Sequence, residues 1–129
     1  MKRAPLDRIL MVEDDPDIQA VARLSLERIG RFTLRICASG LDALAVAPGF
    51  RPQLILLDVQ LPEIDGPATL ARLRQIPALQ ATPVIFLTAK SQVDEVQSYR
   101  KLGAAEVIPK PFDPRELPGR LHRIWEQLG

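Results

Sequence analysis

The stretch Leu54-Ile55-Leu56-Leu57-Asp58-Val59-Gln60-Leu61-Pro62-Glu63-Ile64-Asp65-Gly66 limits the fold more than any other part of the chain. Four apolar residues in a short run bounded by Pro52 and Pro62 read as a strand buried on both faces. Such strands belong to parallel sheets covered by helices, which place their chemistry just outside the carboxyl ends of the strands. Asp58 stands at that end. An Asp there serves equally well as a reactive group or as a residue that caps the turn.

The rest of the chain alternates strand and helix. Arg8–Val12 reads as a first buried strand, followed by Glu13, Asp14 and Asp15, with Asp15 as N-cap and Pro16 opening a helix that Gly30 ends. Ile18, Val21, Ala22, Ser25 and Ile29 fall on one face of that helix at helical spacing. Phe32 to Cys37 alternates, with Leu34 and Ile36 on one side and Thr33 and Arg35 on the other, as in an edge strand half in water. Ser39 caps a short helix to about Ala47, stopped by Pro48-Gly49, and Asp65-Gly66-Pro67 starts another carrying Leu70, Leu73 and Ile76. Pro83–Leu87 is a further buried strand that delivers Thr88, and a helix from Ser91 to Leu102 closes at Gly103. Ala105–Ile108 is a short last strand before Lys110-Pro111-Phe112. Asp113, Pro114 and Glu116 announce a final helix with an inner stripe of Leu117, Leu121, Ile124 and Leu128; Pro118-Gly119 within it implies a kink or a late regular start. Five strands alternating with five helices give an α/β fold, a parallel sheet with helices on both faces, in one domain spanning 1–129.

Charge and composition exclude several functions. With 17 basic and 16 acidic residues the net charge is +1, which argues against direct nucleic-acid binding over a broad surface. The single cysteine, Cys37, reads as a buried thiol and rules out an internal disulfide. Ile9–Val12 is too short for a signal-peptide core after Lys2 and Arg3, and no run spans a membrane, so the chain reads as cytoplasmic. P-loop and Gly-x-Gly dinucleotide fingerprints are missing. His122, off the apolar stripe of its helix, reads as solvent-facing, and Trp125 as a partly covered rim residue, with partner docking as the alternative.

In a parallel sheet the polar groups that end the strands share one edge: Glu13 and Asp14, Asp58, Thr88, and Lys110. Clustered carboxylates repel unless a counter-charge is present. An all-oxygen donor set favours a hard cation, with Mg²⁺ the usual one. A hydroxyl at Thr88 and an ammonium at Lys110 then supply what a phosphoryl group needs. Asp58 would be the nucleophile, forming an acyl phosphate without a general base, because a carboxylate is already ionised at neutral pH. Unrelated caps and surface charges would explain each residue singly, but not their common edge.

These residues resemble the response-regulator receiver domains of bacterial two-component signalling. The motifs are Val12-Glu13-Asp14-Asp15, Asp58-x-x-Leu61-Pro62-x-x-Asp65-Gly66, Leu87-Thr88-Ala89 and Lys110-Pro111-Phe112, over residues 7 to 128. The resemblance implies a flavodoxin-like sheet ordered 2-1-3-4-5, phosphorylation of Asp58, and a cis Lys110-Pro111 bond. It implies Mg²⁺ held by Asp14, Asp58 and the backbone carbonyl of Gln60, with Glu13 acting through water. Thr88 matches the switch hydroxyl and Lys110 the phosphate-pairing lysine. It departs from the family at Val107, where a Tyr or Phe commonly swings inward; backbone and loop movement from Thr88 to Ser91 is the expected substitute. Gln60 and Lys90 would flank the path of water attacking the acyl phosphate.

The expectation is therefore a phosphoacceptor that receives a phosphoryl group from a sensor histidine kinase or histidine phosphotransfer protein. It is not an enzyme beyond its own phosphorylation and dephosphorylation. Output is expected through the face of the fourth helix, fifth strand and fifth helix, including Tyr99, Arg100, Lys101 and Arg115, with a phosphorylation-dependent homodimer as a further option. A stand-alone regulator beginning at Met1 and ending at Gly129 is the first expectation, and a receiver excised from a hybrid kinase or larger regulator the alternative. Two other classes stand beside it. One is a phosphorylation-silent docking module. The other is an aspartyl-phosphate phosphohydrolase, against which Gln60 counts, since such enzymes usually carry a second acid there.

Overall fold

β3 (Leu54–Asp58) is buried along its whole length and lies at the centre of the sheet. In this computed structural model, residues 4–89 and 95–128 are described. β1 (Arg8–Val12) pairs in parallel with β3 on one side and with β2 (Thr33–Cys37) on the other. β4 (Val84–Ala89) and β5 (Glu106–Lys110) complete the other half, so the five-stranded parallel sheet has the order β2-β1-β3-β4-β5. The connecting helices are α1 (Pro16–Ala22), α2 (Gly40–Phe50), α3 (Gly66–Leu73), α4 (Val96–Lys101) and α5 (Leu117–Leu128). The start of the fourth helix at Ser91, and Lys90 before it, lie outside the described residues.

Strand side chains alternate between the two faces, and the core divides accordingly. Ile9, Met11, Leu54, Leu56, Ile85, Leu87 and Ile108 point towards Ala22 and Leu26 and towards Leu117, Leu121, Ile124 and Trp125 of α5. Leu10, Val12, Ile55, Leu57, Val84, Phe86 and Val107 point the other way, towards α2, α3 and Tyr99 of α4. Burial on both faces is why the central strands read as unbroken apolar runs. β2 at the edge alternates instead, with Thr33 and Arg35 exposed and Leu34 and Ile36 half-buried.

Several local expectations are corrected. After α1 the helix widens into a π-helical segment, Arg23–Ile29, closed by the Gly30 N–H donating to the Ser25 carbonyl five residues back. The wider turn shifts the phase of the buried face. Ala22, Ser25 and Leu26 are buried, whereas Val21 and Ile29, expected inside, are 39% and 46% exposed. α2 does not stop at Pro48; it runs to Phe50 and ends at Arg51, whose φ of 56° is left-handed. Proline removes one helical N–H, and the ladder resumes beyond it, with the Arg51 N–H donating to Ala47. β5 extends to Lys110, past the expected Ile108.

α5 takes the late regular start: Asp113 Oδ1 accepts from the Arg115 N–H, and Pro118 falls in the first turn, where no N–H is needed. Leu128, expected in its inner stripe, is 39% exposed. Trp125 is core, not rim: its indole N–H donates to the Ala4 carbonyl at 2.8 Å, so the segment preceding β1 covers the ring. His122 is exposed as expected and lies tilted against Phe32 at 5.0 Å. Cys37 is a buried free thiol. No helix among the described residues is long and apolar enough to cross a membrane.

Candidate functional site

The carboxyl edge of the sheet brings the polar strand ends together. β1 ends directly before Glu13, which is fully buried and held there by its backbone: its N–H donates to Cys37 and its carbonyl accepts from Gln19 Nε2 at 2.6 Å. Asp14 beside it is exposed. Asp58 closes β3 and is buried; one carboxylate oxygen from each of Glu13, Asp14 and Asp58 lies within 4.8 Å of the others. Thr88 follows Leu87, the register partner of Asp58, and is buried. Lys110 ends β5 and reaches across, its Nζ donating to Asp58 Oδ2 at 3.0 Å and to Glu13 Oε1 at 3.1 Å. The Lys110-Pro111 bond that follows is cis.

Asp58 does cap the turn, but with only one of its two carboxylate oxygens. Oδ1 accepts from the Gln60 N–H at 3.1 Å and fastens the turn after β3, while Oδ2 faces Lys110. The turn is tight because α3 begins under it. A Cβ on Gly66 would stand 2.5 Å from the Asp58 carbonyl oxygen, so only glycine lets the helix approach so closely. Asp65 caps that helix, accepting from the Ala68 N–H at 2.8 Å. Asp15 caps α1 in the same way, accepting from Asp17. The open pocket above these groups, of ≈ 450 Å³, is lined by Glu13, Asp14, Asp58, Gln60 and Lys110 among others.

The charges are out of balance. Burial, with the neighbouring Asp58 charge adding to it, pushes the Glu13 carboxyl up to about 7, against the lowering effect of the Asp15 N–H and of Lys110. Desolvation works against the charged form of Lys110, but its hydrogen bonds to Asp58 and Glu13 outweigh it and hold the ammonium above its ordinary range. Three carboxylates and one ammonium, all oxygen on the acidic side, make a donor set that fits a hard divalent cation. All six residues expected at the site thus meet at one edge. Gln19, which holds Glu13, carries no sequence signal, because its partner is a backbone carbonyl.

The response regulator receiver domain model matches residues 9–122. The chain belongs to the response-regulator receiver family. It is 34% identical over 120 residues to the DNA-binding dual master transcriptional regulator RpaA of Synechocystis sp., covering 92% of this chain and 49% of that protein. A putative response regulator from Chloroflexus aurantiacus superposes with a TM-score of 0.84 at 32% identity, covering 93% of this chain and 98% of that one. The receiver domain of a sensor histidine kinase from Pseudomonas aeruginosa, with a magnesium ion coordinated in its active-site cleft, superposes with a TM-score of 0.81 at 30% identity, covering 93% of this receiver and 98% of that one. The receiver spans about half the length of most curated relatives it matches, such as RpaA at 49%.

Tyr99 departs from expectation. Placed with Arg100, Lys101 and Arg115 on an outward face, it is instead 5% exposed and stands edge-on to Phe86, because its position on α4 faces the sheet. Arg100 is exposed and paired with Glu106 at 2.7 Å.

Proposed function

We propose that this receiver accepts a phosphoryl group on Asp58 from a phosphohistidine of a sensor kinase or phosphotransfer protein. The observation that carries the reading is the placement of Lys110 Nζ between the buried carboxylates of Asp58 and Glu13. Asp58 attacks phosphorus, the P–N bond breaks with its electron pair staying on the histidine nitrogen, and a P–O bond forms. Lys110 would exchange its bond to Asp58 for one to a phosphoryl oxygen, and the Thr88 hydroxyl would donate to another. Glu13, Asp14, Asp58 and the Gln60 carbonyl are assigned to hold Mg²⁺, which supplies positive charge against the phosphoryl oxygens when bound. The magnesium-bearing Pseudomonas neighbour supports that assignment. Gln60, at the pocket rim, is assigned to the path of attacking water.

Phosphorylation then shifts a conformational equilibrium that partners read on the face of α4, β5 and α5. DNA-binding relatives such as RpaA support an output in transcriptional control, exerted by a domain or partner outside the receiver. The test is intact mass after incubation with Mg²⁺ and acetyl phosphate, beside an Asp58→Asn control. One added phosphoryl group, lost in hydroxylamine and absent from the control, is expected. No adduct with Mg²⁺ binding intact would mean a silent or donor-restricted receiver, and the absence of both would mean a docking module.

A further inference from the structure

Asp14 is the exposed member of the carboxylate cluster, and no hydrogen bond from another described residue fixes its side chain. Its aim is therefore set by the backbone on either side of it. Gln19, in the first turn of α1, bonds both flanking carbonyls. Its side-chain Nε2 donates to the Glu13 carbonyl at 2.6 Å, and its own N–H donates to the Asp15 carbonyl at 2.9 Å. A carbonyl only accepts, so the amide must turn its nitrogen towards Glu13. The second bond is ordinary helical pairing, which any residue but proline would supply. The first depends on the side chain, and it sets the plane of the Glu13–Asp14 peptide. The rest of Glu13 is fixed from elsewhere. Its N–H donates to the Cys37 carbonyl at 2.9 Å, while Oε2 accepts from the Asp15 N–H and Oε1 from Lys110. Removing the Gln19 amide thus leaves the Glu13 carboxylate pinned and loosens the link to Asp14.

We propose that Gln19 is a positioning residue for the Mg²⁺ assigned to this site, acting through the Asp14 carboxylate and not by touching the ion. The proposal rests on the functional reading above, since it takes Glu13, Asp14 and Asp58 as ligands of the cation. A cation shared by carboxylates at the ends of separate strands tolerates little error in their spread, and the three oxygens already lie within 4.8 Å of one another. Groups that orient metal ligands from behind are worth about 10–100-fold in affinity. Gln19 is half-buried, so its bond to the carbonyl is partly shielded from competing water. The first helix thereby carries a support of the metal site, from a residue six positions beyond Glu13.

The test is calorimetric titration of the whole chain with Mg²⁺, beside ¹H–¹⁵N NMR of the metal-free protein. Gln19→Met keeps the length of the side chain and removes its donor. It should weaken Mg²⁺ binding about tenfold. The Asp14 amide signal, whose nitrogen shares a peptide with the Glu13 carbonyl, should move even without metal. Gln19→Glu also removes the donor but adds a negative charge, which alone would tighten cation binding. Weaker binding than in the unaltered protein is expected there too. Ser25→Ala is the control, because it removes another 2.6 Å bond from the continuation of the same helix, one that faces Pro114. It should lower the urea midpoint and leave Mg²⁺ affinity as it was. Affinity within about twofold of the unaltered protein in Gln19→Met, or an equal loss in Ser25→Ala, would overturn the positioning role and leave the functional reading standing. No Mg²⁺ binding by the unaltered protein, together with no phosphoryl uptake from acetyl phosphate, would overturn both.

Discussion

Glu13 and Lys110 decide how the site behaves before any ligand arrives. A carboxyl raised from an ordinary 4.5 to about 7 binds its proton more tightly in the folded protein than in the unfolded one. Its contribution to stability is therefore full below about pH 4.5 and lost as the pH rises through about 7. In chelator, the melting temperature should fall from about pH 5 to about pH 8, and Glu13→Gln should flatten that slope. Protons compete with the cation for the same carboxylate, so Mg²⁺ affinity should rise over the same window, which calorimetric titration would read. Lys110, held above its ordinary 10.5, loses its contribution only in strong alkali and does not interfere. Lys110→Ala strips the counter-charge from two buried carboxylates. At pH 8 it should cost on the order of 2–3 kcal/mol in urea unfolding, and less at pH 6, where Glu13 can take up a proton.

At the scale of elements, backbone conformation accounts for the departures from simple periodicity. In the π-helical segment Arg23–Ile29 the inward Ser25 hydroxyl donates to the Pro114 carbonyl at 2.6 Å and ties this helix to the approach to α5. A regular helix would have kept Ile29 on the same inner face as Ser25, and the wider turn carries it out to solvent. α2 ends on Arg51 in the left-handed region, a conformation that costs a residue with a Cβ about 1 kcal/mol. Arg51→Gly should therefore stabilise the protein by about 0.5–1 kcal/mol, provided the bond from Arg8 Nε to the residue 51 carbonyl is kept, as a backbone acceptor allows. An unchanged or lower midpoint in urea would show that the arginine side chain contributes more than its backbone loses.

Over the whole molecule, the two ends of the sheet carry separate duties. The carboxyl edge holds the charged site. The opposite end is closed by the N-terminal segment: Gln53 Oε1 accepts from the Asp7 and Arg8 N–H groups, and Trp125 bonds Ala4 from α5. Trp125→Phe leaves that carbonyl without its donor and removes part of a core side chain, which should cost about 1–2 kcal/mol by thermal unfolding. Phosphoryl uptake by Asp58 should be unaffected, since the substitution lies at the far end of the strands. A loss of uptake in a folded Trp125→Phe protein would show that the two ends are coupled.

Local pattern was enough for five strands alternating with five helices and for the shared edge of the strand-end polar groups, while the strand order came from the family resemblance. Strand hydrophobicity, capping residues such as Asp15 and Asp65, and the rule that parallel strands present their ends on one edge all act within a few residues or follow from chirality. Those rules brought Glu13, Asp58, Thr88 and Lys110 to one edge, and the motif order did the rest. Tertiary structure decided what depends on partners remote in the chain. Lys110 meets Asp58 across 52 residues and Trp125 meets Ala4 across 121. The raised pKa of Glu13 and the inward turn of Tyr99 likewise depend on burial, which no window of sequence contains. Periodicity can tell which residues share a face, but the face is covered or left open by elements folded from elsewhere.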